Sequence, residues 1–586
     1  MITSEGRIFF FLLVGICGLA FFWQLGGYGL FDLDEGLYAA AAREMYLHRD
    51  FVTPRVNGEA FFEKPPLAYW AAAGMMLLLG VNEFAVRLPA ALATTAVVFL
   101  VYWFGGRYVG TRAGGLAACF YALAPLVFGE ARQLTMDALL TFFFTVALFC
   151  FFLGYTTPSP AGRRWYYGFW GACGLAVLTK GLVGLLLPVL VAVVFLFFAE
   201  RFGGRAVARA MVCACPLSGL LLFVAIILPW HLAAWRAERD LFWNVYILQQ
   251  HIARFRGGDM AHRAPFWFFL PAFLVGFFPW SVFVPSALRV PHRREISGGP
   301  SENATSVARL LLIVWAIVVF VFFSASGSKL VSYILPMYPA AALLVGGWCA
   351  QVIDQKEGQA ALLAASGAAF LIGLLLFGAV YFHEAIIRLI EQQTHKPVPT
   401  DQVTPAMLRW ATHQFGAAAL ATGALFLLLL LDRRRAAFAA AIAGMVVFAG
   451  VAVMEGLPVV NAAFCAPLQS LATQAGHESV SGVPIALYIG PPRRPSVLFY
   501  LPDKFFLRQS PPARSIPEWT NESEVHQFLA VHRPALILTT TTRARRLLSE
   551  PSIHLLASQP GWALLRVQPP NESTLEVQCP MERSML

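Results

Sequence analysis

The chain holds 586 residues, of which 58% are hydrophobic and only 13% charged, with a net charge of +10. A water-soluble core cannot hide that much apolar surface, so a soluble globular enzyme is excluded. The positive balance favours anionic partners, either lipid headgroups or a phosphorylated substrate, and with no basic domain standing apart from the apolar stretches, nucleic acid is not expected as a partner.

Apolar stretches of roughly 18 to 24 residues recur along the chain as far as residue 455, each able to cross a hydrocarbon layer about 30 Å thick. The first, 8–25, follows a single cation, Arg7, with no small-residue cleavage site after it, and reads as a retained span rather than a signal peptide. Further spans are expected near 84–104, 113–130, 137–156, 166–180, 181–199, 210–230, 265–288, 309–325, 331–352, 359–381, 411–431 and 436–456, about thirteen in all. The piece Pro66–Gly80 is too short and reads as interfacial or re-entrant. Arginines in the turns at 107–112, 163–164, 201–209, 289–294 and 433–435 mark those turns as cytoplasmic. That orientation places the 28–83 loop, the 231–264 loop and the chain beyond Leu457 on the external side.

The fold class expected is therefore an all-α polytopic membrane protein, residues 1–456, with interfacial helices in its first external loop and a small external α/β domain over 457–586. In that tail, Pro484–Gly490, Ser496–Leu501, Ala535–Thr539 and Trp562–Val567 read as strands and Glu522–His532 as a helix. It carries no glycine-rich phosphate fingerprint. Most of the nine cysteines lie in or beside spans as apolar filler, while Cys465 and Cys579 are external, where an oxidising compartment permits a disulfide between them.

The polar residues have functional and structural readings side by side. Asp34 and Glu35 follow the first span and precede a helical run to Arg49, where acids also serve as ordinary helix-start residues. Lys64, in Glu63-Lys64-Pro65-Pro66, suits either a reaction site or a lysine snorkelling to lipid phosphate. Asp137 at the start of one span and Lys180 between two others sit at depths where ionisable groups are costly and usually paired or lining a cavity. The loop with His251, Arg254, Arg256 and His262 mixes cations with aromatics, as a lipid headgroup or a sugar phosphate requires. Lys329 and Tyr333 lie in a serine-rich segment that can begin a helix and hold an oxyanion.

Taken in order, Asp34-Glu35, Phe62-Glu-Lys-Pro-Pro-Leu67, Phe84-Ala-Val-Arg-Leu-Pro89, Arg132 to Asp137, Leu178-Thr-Lys-Gly181, Gln250-His-Ile-Ala-Arg254 with His262-Arg-Ala-Pro-Phe-Trp267, and Ser328-Lys-Leu-Val-Ser-Tyr-Ile-Leu-Pro336 resemble the lipid A aminoarabinose transferases. These belong to the polyprenyl-phosphate-dependent membrane glycosyltransferases of the GT-C type, related to protein O-mannosyltransferases. The resemblance implies transfer of a sugar from undecaprenyl phosphate to lipid A at the periplasmic face of the bacterial inner membrane, by a monomer in contact with membrane lipids. It assigns catalytic work to Asp34, Asp137 and Lys64, and substrate binding to Glu35, Lys180, Arg254, Arg256, His262, Lys329 and Tyr333. It requires no cofactor, although a divalent metal, zinc, is associated with the positions of Glu63 and His251.

Breaking the bond between an anomeric carbon and a lipid phosphate leaves a phosphate of increased negative charge, which cations stabilise. A hydroxyl acceptor needs Asp34 as general base. A phosphate acceptor, with a second pKa of about 6, is already largely ionised, so Asp34 then positions a substrate instead. Two departures bear on the sugar: Gly36-Leu37 stand where the family shows a polar residue and an arginine, and Gln250 where an acid commonly precedes the histidine. A different polyprenyl-phosphate sugar, a hexose or hexosamine, or a different acceptor stays open. A transporter should show repeat symmetry or paired broken helices, neither of which the sequence displays. A structural lipid-binding subunit should tolerate Asp34→Asn and Lys64→Ala.

Overall fold

The computed structural model describes residues 3–568 except 158–159, 215, 254–263, 290–299, 356–357, 386–403, 480–482, 490–493, 508–515 and 533. Its residues form two compact units, one of residues 1–25, 62–68 and 87–457, the other of residues 26–61, 69–86 and 458–586.

The first unit is helical. Among the described residues of the whole chain, nine helices are long and apolar enough to cross a membrane, or up to eleven if each of two bent pairs counts as one span. This is a multi-pass membrane protein. The bent pairs explain two of the expected spans. Thr111–Ala122 and Pro125–Ala131 meet at 65°, with Pro125 opening the second piece, since proline has no amide to continue the first ladder. Phe266–Gly276 and Trp280–Arg289 meet at 111° around Pro279. The expected spans 166–180 and 181–199 coincide with helices Arg163–Lys180 and Val183–Ala199, of 18 and 17 residues. Beyond them, Leu217–Leu241 continues into a π-helical stretch, Phe242–Ala253, so the 231–264 region begins as helix. Aromatic rings fill the interior, with Phe104 stacked on Phe149 at 4.1 Å and Phe120 on Trp280 at 4.0 Å.

The second unit is built on a mixed five-stranded sheet in the order Glu518–Trp519, Ile485–Tyr488, Ala535–Thr540, Trp562–Val567, Ile553–Gln559. The first three strands run parallel and the last two antiparallel. Alternation along the strands separates two cores: Leu487, Leu536, Leu538 and Leu564 pack on one face, Ile537, Ala563 and Leu565 on the other. The helix Glu522–Val531 lies where it was expected. The strand expected over Ser496–Leu501 is instead a short helix, Ser496–Tyr500. Pro495 before it presets a helical φ of −65°, and the carbonyls at its end are taken by a buried arginine. Strands Glu518–Trp519 and Ile553–Gln559 were not anticipated. Also in this unit is the helix Asp34–His48, whose run Ala39–Ala42 is fully buried and whose Ala40 joins the core of the sheet.

Candidate active site

In the membrane unit, two helix ends bring opposite charges together. Asp137 lies in the first turn of Met136–Thr156 and Lys180 is the last residue of Arg163–Lys180, terminated by Gly181 at φ 83°. An acid at a helix start and a cation at a helix end are each favoured by the aligned peptide dipoles. The side chains are 9% and 11% exposed, and Lys180 Nζ donates to Asp137 Oδ1. The second carboxylate oxygen accepts from Ser332 Oγ at 3.1 Å, and the Lys180 ammonium stands 4.4 Å from the centre of the Tyr333 ring. One ion pair is thus held by a third element, the turn Val331–Met337. Lys329, 6% exposed, donates to the Ser326 carbonyl at 2.5 Å. Glu63 and Lys64 are both half-buried, with Lys64 Nζ donating to the Glu63 carbonyl at 3.3 Å. They follow Phe62, which is buried edge-on against Phe242 at 5.4 Å.

In the other unit, Asp34 is exposed at the first turn of Asp34–His48. Glu35 is turned inward, 1% exposed, and its Oε2 accepts from the Phe31 amide at 2.8 Å. The turn that presents Asp34 is bound to the tail by its neighbour Asp32, which accepts from the Ser496 amide at 2.9 Å and the Ser496 hydroxyl at 2.6 Å. Burial pushes the Asp32 carboxyl above its ordinary value, against the pull of Ser496 and Arg494. Gly36 is required here: a Cβ would lie 2.6 Å from Asp32 Oδ1 and 2.8 Å from the Ser496 backbone nitrogen. Two turns further along, Arg43 donates to the carbonyls of Leu498, Phe499 and Leu501 and to Asp503 at 2.5–3.1 Å. Asn57 exchanges hydrogen bonds with the Ile516 backbone at 2.7 and 2.9 Å.

The structure thus joins Asp137, Lys180 and Tyr333 in one cluster with Ser332, a partner that sequence reasoning did not select although it stands in the quoted Ser-Lys-Leu-Val-Ser-Tyr motif. Elsewhere in this unit, the His231 Nε2 meets the Tyr246 hydroxyl at 3.2 Å inside an aromatic group with Trp230 and Phe242. Arg254, Arg256 and His262 fall outside the described residues, as do the His251 side chain and Cys579. Among the described residues, no three His, Cys, Asp or Glu side chains converge as metal ligands.

Residues 63–231 match the family described as dolichyl-phosphate-mannose-protein mannosyltransferase. An undecaprenyl phosphate-alpha-4-amino-4-deoxy-L-arabinose arabinosyl transferase 1 of Pseudomonas fluorescens is 32% identical over 397 residues, covering 67% of this chain and 67% of that protein. The chain belongs to this arabinosyl transferase family. Another member, from Edwardsiella ictaluri, is 33% identical over 352 residues, and the match spans 61% of its length. The fold agrees with membership: ArnT from Cupriavidus metallidurans, solved bound to undecaprenyl phosphate, superposes with a TM-score of 0.73 at 23% identity, covering 96% of this chain and 98% of that one. The likeness of fold runs through nearly the whole chain.

Proposed function

We propose that the protein transfers 4-amino-4-deoxy-L-arabinose from undecaprenyl phosphate to a phosphate of lipid A, at the periplasmic face of the bacterial inner membrane and as a monomer. The observation that carries this reading is the buried Lys180–Asp137 pair braced by Ser332 and Tyr333, a fixed cation at the end of a membrane span, in a chain whose curated relatives are named as undecaprenyl phosphate-alpha-4-amino-4-deoxy-L-arabinose arabinosyl transferases. In the reaction, the bond from the sugar C1 to the carrier phosphate oxygen breaks, its electron pair leaving with the phosphate. A bond from C1 to a lipid A phosphate oxygen forms on the opposite face, inverting the anomeric centre. Lys64, Lys180, Lys329, Arg254 and Arg256 are the cations assigned to the departing phosphate, lysine as a point charge and arginine as a two-pronged donor. Asp137 orients Lys180 rather than exchanging protons, and Tyr333 limits the space beside the ammonium. Asp34, exposed on its turn, positions the sugar or acceptor, because an ionised phosphate acceptor has no proton to surrender. Glu35 supports that turn from within, and the resemblance assigns His262 to substrate binding. Glu63 and His251 are the residues that would hold a divalent metal.

A second reading, a hexose or hexosamine in place of the amino sugar, is favoured by one observation. Gly36 has no room for a side chain, so no polar group can stand at that position beside Asp34, where the resemblance leads one to expect it. Mass spectrometry of lipid A from cells with and without the protein separates the two. One added pentosamine on phosphate supports the amino sugar, a hexose or hexosamine supports the second reading, and unchanged lipid A rejects this acceptor. Asp34→Asn and Lys64→Ala are each expected to abolish transfer while leaving expression and insertion intact; normal transfer by both variants overturns the site.

A further inference from the structure

We propose that the membrane unit carries a binding site for an anionic glycerophospholipid at the end of the bundle opposite the Asp137–Lys180 pair. Asp137 opens the helix Met136–Thr156 and Tyr155 lies near its close, about 27 Å further along at 1.5 Å per residue. That is nearly the thickness of a hydrocarbon core, so the two positions belong to opposite membrane faces. At the Tyr155 end, the helices Met136–Thr156, Arg163–Lys180, Val183–Ala199 and Gly204–Ala214 leave a cavity of about 360 Å³, with Tyr155, Arg163, Tyr166, Glu200 and Arg209 in its wall.

The wall chemistry selects the ligand. Among the described residues, neither Arg163 nor Arg209 is paired with a carboxylate, and the acid beside them, Glu200, is engaged by the Tyr155 hydroxyl at 2.9 Å. Two guanidiniums and one carboxylate leave a net charge of +1, which matches one phosphodiester. Glu200 retains acceptor capacity for a hydroxyl of a polyol headgroup. A zwitterionic headgroup is net neutral and leaves the second arginine uncompensated; phosphatidylglycerol supplies one negative charge and two hydroxyl donors. The surroundings suit a lipid rather than a free anion. Gly204–Ala214 is a basic amphipathic helix with Arg205 and Arg209 one turn apart, and Phe197, Phe198 and Val212 nearby in sequence are 40%, 50% and 73% exposed. A basic, apolar-flanked cavity at a membrane surface is where an acyl chain can lie along the protein while its phosphate meets arginine. The site is independent of the transfer reaction.

Native mass spectrometry of the full-length protein in detergent, with dioleoyl phosphatidylglycerol, phosphatidylethanolamine or phosphatidylcholine added, tests this. Phosphatidylglycerol is expected to bind preferentially, and Arg163→Ala with Arg209→Ala to weaken it roughly 30-fold. Ala210→Trp, which fills the cavity without changing its charge, should remove the preference as well, and carries the test if the arginine pair misfolds. Arg164→Ala with Arg205→Ala, on the same surface but outside the cavity, should leave binding intact. Equal retention of the three lipids overturns the proposal. So does an equal loss in the control pair, which marks a diffuse basic surface, or displacement of the lipid by inorganic phosphate, which marks a soluble-anion site.

Discussion

Glu44 accepts the amides of Asn57 and Gly58 at 2.5 and 3.1 Å, and burial pushes its carboxyl from an ordinary 4.5 to about 7, despite those amides and Arg43. The unfolded chain releases this proton near 4.5, whereas the folded chain keeps it to about 7. Folding takes up a proton between those values, so stabilisation fully present below about 4.5 is lost as pH rises to 7, about 3 kcal/mol at most. Hydrogen exchange at Asn57 and Gly58, corrected for intrinsic rates, should show less protection at pH 7.5 than at pH 5, and Glu44→Gln should flatten that difference. Lys180 makes a different expectation. Asp137→Ala leaves it buried without its counter-charge, which costs about 3–5 kcal/mol. Thermal melts in detergent should show a larger fall for Asp137→Ala than for Ser332→Ala, which removes one neutral donor. Asp137 and Lys180 were legible in the sequence because charges inside apolar runs stand out. Asp32 was not, since its value depends on Ser496, 464 positions away, which no local pattern announces.

At the scale of elements, the helix Asp34–His48 was legible from the acids at its start and its spacing, but its docking partner was not. The misread strand over Ser496–Leu501 shows why. Its apolar alternation suits a strand, yet Pro495 and the demand of Arg43 for carbonyl oxygens select a helical turn. Arg43 is 4% exposed, and burial pulls its guanidinium below the ordinary arginine range, against the support of Asp503. Arg43→Met leaves those acceptors unanswered and Arg43→Lys cannot reach them in a two-pronged way, so both should expose the helix to protease, the first more severely. Limited proteolysis between Asp34 and His48 measures the effect. The bent spans belong to this scale too: hydropathy located them, while Pro125 and Pro279 decided that each is two pieces.

Across the whole molecule, composition revealed a membrane protein, and motif order revealed its relatives. The sequence boundary at residue 457 marked the tail, but nothing local indicated that residues 26–61 and 69–86 cluster with it. A chain ending at Leu457 is therefore expected to insert its spans yet present a protease-sensitive 34–48 segment and transfer no sugar, measured by membrane fractionation, cleavage and lipid A mass spectrometry. The same split unit bears on how the protein is made. Arg43 finds the Leu498 carbonyl 455 residues downstream. At about 5–20 residues per second, roughly 20–90 s of synthesis separate the two. During that interval the emerged loop holds charged groups and an alanine-rich face that only the last part of the chain can cover. A ribosome that stalls in the membrane segments leaves a recognisable unfinished product, so biogenesis factors that shield or degrade such loops have a defined substrate and a defined time in which to act.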